Sequence, residues 1–275
     1  MEQVTIIGAG PAGIACAIAF KHLGINPLLI EKNKIGGLIS NAFLVRNYPG
    51  MEQVTGKTLV KKFVRQLNSF KIKPLKQEVL EINFKKHFIV KTNKQKINSH
   101  FVVLASGTTA KSLPNKLISD IKNKTFYEVS DFPRTTNKII AVIGAGDASF
   151  DYALSLSAKN KVIILNKGHK IKANGFLRKR VSLNKKIHYI ENFKIGKINF
   201  QDKKIVLQGK KPVMADYLFV AIGRKPNYPA LGRNAVKNNN FYLIGDIKNG
   251  RLRQSSVSAG DGVKCAMEIY EKIRN

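Results

Sequence analysis

Val4-Thr-Ile-Ile-Gly8-Ala-Gly10-Pro-Ala-Gly13 is the stretch that decides the fold of this 275-residue chain. An apolar run of strand character enters a turn with three spaced glycines. Helix-compatible sequence follows from Ile14 to Leu23, and a second apolar strand from Pro27 to Ile30. A first glycine here allows a tight turn, a second lets a pyrophosphate approach the backbone, and a third lets the helix pack close to the strand. The N-terminus of such a helix offers N–H groups and partial positive charge to a phosphate. Glu31 closes the second strand, where a carboxylate can accept hydrogen bonds from a ribose diol. The stretch therefore reads as one dinucleotide site, with Gly8, Gly10, Pro11, Ala12, Gly13 and Glu31 as its residues.

The plan occurs twice. Ile139-Ile-Ala-Val-Ile-Gly144-Ala-Gly146-Asp-Ala-Ser149 repeats the strand and turn, Phe150 to Ala158 the helix, and Lys161 to Leu165 the second strand. Glu78 to Phe84, Phe88 to Thr92 and Lys96 to Ala105 read as three further strands of the first copy. Lys194 to Asn199, Lys204 to Gln208 and Met214 to Ala221 match them in the second. Each set closes on a similar signal, Ala105-Ser106-Gly107 and Ala221-Ile-Gly223. Strands alternating with helices imply a parallel sheet in each copy, so the fold class is α/β with two Rossmann-like domains, each carrying a small β-meander. In the second copy Ser149 replaces the third glycine, and Asn166 stands where Glu31 stands in the first, followed by Lys167, Lys170 and Lys172. A carboxylate repels a 2′-phosphate, whereas an amide among lysines accommodates it. The second site is expected to prefer NADPH, with NADH not excluded.

Composition limits the alternatives. Hydrophobic residues make 44% and charged residues 24% of the chain, so it can bury real cores. No run approaches the roughly 18 apolar residues of a membrane span, and no signal-like segment precedes the first strand, so the reading is a soluble cytoplasmic protein without membrane contact. Lysine and arginine number 48 against 17 acids, a formal net charge of +31. The cations are spread along the chain, as on solvated faces, yet such a field attracts acidic partners at low salt. No recognition helix, zinc spacing or aromatic RNA motif supports specific nucleic-acid readout. Cys16 and Cys265 are far apart in sequence, have no metal-ligand spacing, and read as buried structural thiols. No metal site is expected.

The order of motifs resembles the thioredoxin reductase-like flavoproteins of the pyridine nucleotide–disulfide oxidoreductase superfamily, over nearly the whole chain. Beyond the glycine turns, the resemblance rests on five segments. These are Gly36-Gly37, Val45-Arg-Asn47-Tyr48-Pro49-Gly50, Ala105-Ser106-Gly107, Gly144 to Leu154, and Ile244-Gly245-Asp246 followed by Arg253-Gln254 and Ala259-Gly260. It implies FAD on the first site and a nicotinamide dinucleotide on the second. The flavin domain would comprise residues 1–108 and 224–275, and the nicotinamide domain 109–223. On the flavin side it implies roles for Lys32, Gly37, Leu38, Asn47, Val79, Ser106, Gly107, Gly245, Asp246, Arg253 and Gln254. On the nicotinamide side it implies roles for Gly144, Gly146, Asp147, Ser149, Asn166, Lys167, Lys172 and Gly223. The last helix is expected to begin near Gly260 to Gly262 with its positive end toward the flavin. A homodimer is also implied.

The chain departs from that pattern at its chemistry. The segment before the second glycine turn, Tyr127-Glu-Val-Ser-Asp-Phe-Pro-Arg-Thr-Thr-Asn-Lys138, lacks the C-x-x-C of thioredoxin reductases. Thiol–disulfide exchange requires a thiolate. The family's glutamine after Gly-Gly is Leu38, and its paired arginines are matched by Lys167 and Gly168. Cysteine-free relatives include the ferredoxin–NADP reductases of thioredoxin reductase type. The expected activity is hydride transfer from NAD(P)H to FAD, with electrons leaving to ferredoxin or flavodoxin. The cofactors carry that chemistry, so no catalytic side chain is expected. The alternatives are a reductase acting on a partner-supplied disulfide and a non-catalytic flavin-binding sensor.

Overall fold

The structure is a computed structural model describing all 275 residues. In chain order it contains β1 (Glu2–Ile7), α1 (Pro11–His22), β2 (Leu28–Ile30), α2 (Gly56–Ser69), β3 (Val79–Phe84), β4 (Phe88–Thr92), β5 (Lys96–Leu104) and β6 (Thr108–Ala110). Then follow α3 (Asn115–Ile118), β7 (Thr125–Phe126), β8 (Ile139–Ile143), α4 (Asp147–Ser157), β9 (Lys161–Leu165), α5 (Gly175–Ser182), β10 (Ile187–Ile190), β11 (Lys197–Gln201), β12 (Lys204–Gln208), β13 (Val213–Ala215) and β14 (Tyr217–Val220). The chain ends with β15 (Arg224–Pro226), β16 (Ala230–Leu231), α6 (Arg233–Val236), β17 (Phe241–Leu243) and α7 (Ser255–Arg274).

These elements form two compact units, residues 1–40, 45–109 and 225–275 in the first, and 41–44 and 110–224 in the second. The outer boundaries fall one residue beyond the expected 108 and 223. The short segment Asn41–Leu44 belongs to the second unit, and nothing in its sequence announces that.

The first unit is built on a seven-stranded sheet in the order β16-β3-β4-β5-β1-β2, with β17 also paired to β5. β1 runs parallel to both β2 and β5, with Ile6 opposite Leu29 and Val103. β3, β4 and β5 form the antiparallel meander. Val4, Ile6, Val102 and Val103 are fully buried, because a parallel strand covered on both faces has no solvent side to keep polar.

α7 begins at Ser255, not near Gly260 to Gly262. Those glycines lie inside the helix, because Gly262 is the point where α7 crosses α1. A Cβ there would lie 2.2 Å from the Ala12 carbonyl oxygen and 2.8 Å from the Cys16 nitrogen. The glycine thus admits close helix packing and marks no boundary. One turn further on, the Cys265 thiol meets that of Cys16, and both side chains are buried. Burial is the main cause that pushes the Cys16 thiol up, with the hydrogen bond to Cys265 adding to it. Two cysteines that are remote in sequence are therefore neighbours, as packed, unreactive thiols.

The second unit has an all-parallel sheet in the order β10-β9-β8-β14-β7 and a separate antiparallel sheet β11-β12-β13. The single closing strand expected from Met214 to Ala221 is two strands, interrupted at Asp216. The backbone N–H of Asp216 donates to the Ile139 carbonyl at 2.7 Å, and its carboxylate accepts from the Ile139 N–H at 2.8 Å and from Lys204 Nζ at 2.6 Å. Burial works to raise the Asp216 pKa, but these two donors outweigh it, and the net effect is a lowered value. Strand propensity alone cannot show a residue whose own side chain takes over the ladder's partner.

No helix is long and apolar enough to cross a membrane.

Candidate functional site

In the first unit the three glycines of the opening turn do different work. A Cβ on Gly8 (φ +105°) would sit 2.4 Å from the Ala105 carbonyl oxygen, and one on Gly13 would sit 1.8 Å from the Gly8 carbonyl oxygen. Both are glycine because backbone occupies the space. A Cβ on Gly10 would meet nothing within 4 Å. The opening in front of Gly10 faces the start of α1, where Gly10 is the N-cap, no side chain caps the helix, and the first turn holds no acid. Pro11 occupies the first helical position, where its missing N–H costs nothing. The remaining N–H groups and the helix's positive end are thus left for an anion from outside.

Other segments close around this turn. Gly37 lies against Gly10, and Gly245 (φ +73°) lies against Ala12, where a Cβ would come within 2.7 Å of the alanine methyl carbon. Glu31 accepts from the Ala9 and Asn33 N–H groups, both at 2.7 Å. Its carboxylate therefore fixes the glycine turn and keeps acceptor capacity for a diol. Asn47 Nδ2 donates to Gln254 Oε1 at 2.7 Å, which joins two positions more than 200 residues apart in sequence. Beside them the buried Arg253 Nε has no hydrogen-bond partner. Asp246 accepts from Ser258 Oγ at 3.0 Å. The Ser106 hydroxyl donates to the Asn227 carbonyl, and the Asn227 N–H returns to Gly107 (φ +64°). Lys32 forms a surface ion pair with Glu78 at 3.1 Å. Leu38 is half-buried in a 3-10 turn, and Val79 starts β3. An uncapped helix start, an open glycine and an orphaned buried guanidinium nitrogen fit a ligand with a pyrophosphate and a polar ring system.

The second unit repeats the glycine logic. A Cβ on Gly144 (φ +134°) would lie 2.3 Å from the Ala221 carbonyl oxygen, whereas one on Gly146 would meet nothing within 4 Å. Ser149 is fully buried and replaces the third glycine without loss of close packing. Gly146 caps α4 without a side chain, while Asp147 in the first turn accepts from the Asn174 N–H at 2.8 Å and from its amide at 3.1 Å. Asn166 is buried, and its amide donates to Tyr189 Oη at 2.7 Å and to the Lys170 carbonyl at 3.3 Å. Its side-chain oxygen accepts from Gly168 N–H. The side chain thus holds the 166–170 loop. The cations at this edge, Lys167 and Lys172, are exposed and make no ion pair. Gly223 (φ +116°) accepts from the Lys111 N–H.

Sequence reasoning missed a polar cluster in the second unit. Glu128 accepts from Arg224 Nη1 at 2.5 Å, Tyr152 Oη at 2.7 Å and Asn41 Nδ2 at 2.9 Å. Asn41 Oδ1 in turn accepts from the Ser130 N–H. Nearby, Asp151 accepts from the Phe43 N–H at 3.0 Å, and its largest perturbation is burial, which raises its pKa to about 6 against the hydrogen bonds of Phe43 and Leu44. Glu128 lies in the segment before the second glycine turn that lacks the C-x-x-C, and no spacing rule connects it to residues 41, 152 and 224.

The raised Asp151 pKa gives a pH dependence with a definite sign. The folded protein binds this proton more tightly than the unfolded chain, so the stability linked to it is full below about pH 4 and is lost as pH rises through about 6. Asp151→Asn removes the ionisation and keeps one acceptor. The variant should gain on the parent by about 3 °C in Tm between pH 4 and 7. Thermal melts of the two proteins across that range check it, and parallel curves would reject the assignment.

A family model described as pyridine nucleotide-disulphide oxidoreductase matches residues 2–262. The thioredoxin reductase of Bacillus subtilis (strain 168) is 26% identical, over 98% of this chain and 94% of its own length. That of Chlamydia pneumoniae is 28% identical, over 97% of each. Among solved structures, thioredoxin reductase from T. acidophilum superposes with a TM-score of 0.88 at 25% identity, covering 99% of both chains. Bacillithiol disulfide reductase from Staphylococcus aureus, at 19% identity, a TM-score of 0.78 and 98% coverage of both chains, shares the fold.

Proposed function

The chain belongs to the pyridine nucleotide-disulphide oxidoreductase family, whose members use FAD and NAD(P)H, and we propose that within it this protein is an NAD(P)H-dependent flavin reductase that passes electrons to an external one-electron carrier such as ferredoxin or flavodoxin. The observation that carries this reading is the combination of two uncapped glycine turns with the absence of any reachable thiol. Gly10 and Gly146 are open to a ligand, while Gly8, Gly13 and Gly144 are closed by backbone. The only cysteines, Cys16 and Cys265, are packed against each other, at 0% and 3% exposure. No side chain of this chain can therefore relay electrons to a disulfide.

The residues present fit both dinucleotides. Gly8, Gly10, Gly13 and Glu31 would hold the FAD pyrophosphate and ribose, while Asn47, Asp246, Arg253 and Gln254 would line its ring. Gly144, Gly146 and the α4 N-terminus would hold the second pyrophosphate, and Lys167 and Lys172 would favour a 2′-phosphate and thus NADPH. The chemistry FAD would supply is acceptance of a hydride and passage of its two electrons onward one at a time, with its proton released to solvent. The protein's part is to bind, orient and exclude water. A homodimer in the cytoplasm belongs to the same proposal.

A second reading is favoured by the names of the curated relatives: reduction of a disulfide that a partner protein supplies together with its own dithiol. An anaerobic absorbance spectrum before and after one equivalent of NADPH, repeated with NADH, tests both readings at their shared step. Prompt bleaching of a flavin spectrum is expected, faster with NADPH. Steady-state reduction of ferredoxin or flavodoxin then separates them. Bleaching without reduction of either carrier would remove the acceptor assignment, and a flavin that stays oxidised would remove the reductase itself.

A further inference from the structure

The C-terminal end of α5 carries a surface that the dinucleotide sites do not use. Arg178, Lys179, Arg180, Lys185 and Lys186 fall within nine residues, with no acid among them. In their midst Leu183 is 73% exposed. It follows the last turn of α5 and opens onto a groove of about 690 Å³ with Phe43 and Leu154 on its floor and Arg180, Lys185 and Lys186 on its rim. The Arg180 guanidinium stands over the Phe43 ring at 5.4 Å and the Phe176 ring at 5.6 Å, which holds its charge beside the apolar floor. Lys186 Nζ reaches the Ala158 carbonyl at 3.4 Å, and Lys185 is exposed without an ion pair. All these residues belong to the second unit.

We propose that this groove is the docking surface for an acidic protein partner, one that seats an apolar side chain on Leu183, Phe43 and Leu154 and rings it with carboxylates facing Arg180, Lys185 and Lys186. Two features select that occupant. The rim is of one sign, so a partner must bring the opposite charge at three points. The floor is apolar, and a phosphate backbone has nothing to place on it, whereas a protein surface does. Exposed leucine flanked by cations is also the arrangement in which apolar contact sets residence time and charge sets the encounter rate. The proposal rests on the flavin reductase reading, which calls for an acidic carrier, but the surface can be tested without turnover.

The experiment measures binding of purified ferredoxin and flavodoxin to the full-length, flavin-loaded protein by calorimetry at low and moderate salt. Three variants are compared: Lys185→Glu/Lys186→Glu, Leu183→Ala, and the control Lys61→Glu/Lys62→Glu on the exposed face of α2, which changes net charge equally. The groove double variant should weaken binding of one carrier about ten-fold at low salt, while the control changes it by about two-fold or less. Leu183→Ala should weaken binding about five-fold with an unchanged salt dependence. Equal losses in the groove and control variants would reduce the effect to net charge and overturn the proposal. So would an unaltered affinity in Leu183→Ala, binding of neither carrier by the parent, or competition by duplex DNA that Leu183→Ala leaves unchanged. NADPH bleaching is measured on every variant. Bleaching that fails in the parent while a carrier still binds at the groove sinks the reductase reading and leaves the docking surface standing.

Discussion

Gly13→Ala is expected to cost the first unit about 3 kcal/mol, roughly 10 °C in Tm, with loss of its flavin. The new Cβ would lie 1.8 Å from the Gly8 carbonyl oxygen, a backbone atom inside the same turn. No rotamer change relieves such a contact. Either α1 moves off β1 or the turn opens, and both destroy the anion site. Gly10→Ala gives the contrasting result. Its φ of −80° suits alanine, and the Cβ meets no atom within 4 Å. Folding should change by less than about 0.5 kcal/mol. The methyl would still stand in front of the helix N-terminus, where a pyrophosphate must approach, so FAD affinity should fall about ten-fold or more. Flavin content by absorbance and unfolding by calorimetry separate the two effects. A Gly10→Ala protein that retains FAD with parental affinity would show that the opening at Gly10 is not where the pyrophosphate lies.

The pair also shows what the sequence can and cannot display. The spacing of Gly8, Gly10 and Gly13 is local, so strand, turn and helix follow from a few neighbouring residues. The repetition at Gly144 to Ser149 doubled that signal, and the strands of both copies lie close to where their apolar runs place them. Features set by distant contacts were not legible. The start of α7 is not legible because Gly260 and Gly262 look like a helix boundary, and the approach of Ala12 and Cys16 explains Gly262. Asn166 occupies the ribose-facing position of the motif, yet its amide is engaged with Lys170, Gly168 and Tyr189, the last more than 20 residues away. The break at Asp216 depends on Ile139 and Lys204. The Cys16–Cys265 contact depends on a helix crossing. Asn41–Leu44 has no periodicity of its own, and it is tied to the second unit by distant partners, Glu128, Ser130 and Asp151, and by the packing of Phe43 on that unit's core.

Glu128→Ala should destabilise the second unit by about 3 kcal/mol, the cost of breaking a mostly buried ion pair from one side. The carboxylate is 15% exposed and its partner Arg224 is 18% exposed, so water screens the pair poorly. Three donors converge on it, and the substitution takes this acceptor from the guanidinium, from the Tyr152 hydroxyl and from the Asn41 amide at once. Burial first, and then the Glu128 charge, push the Tyr152 pKa far up, so the phenol stays protonated and donates at every accessible pH. Glu128→Gln keeps the shape and one acceptor, but it still takes the carboxylate charge from the guanidinium and turns an NH2 group toward a donor, so it should cost about 2 kcal/mol, less than Glu128→Ala by the acceptor it retains. The double variant Glu128→Ala/Arg224→Ala should lose less than the sum of its single variants, since no charge is then left facing a missing partner. Urea unfolding of the four proteins measures the coupling directly. Hydrogen exchange supplies the local readout: the Ser130 amide, held by Asn41, should exchange faster in Glu128→Ala, while the Phe43 amide, held by Asp151, should be less affected. If all four proteins unfold alike, Glu128 is merely tolerated where it stands, and the retention of Asn41–Leu44 in the second unit has to come from Asp151 and the packing of Phe43 alone.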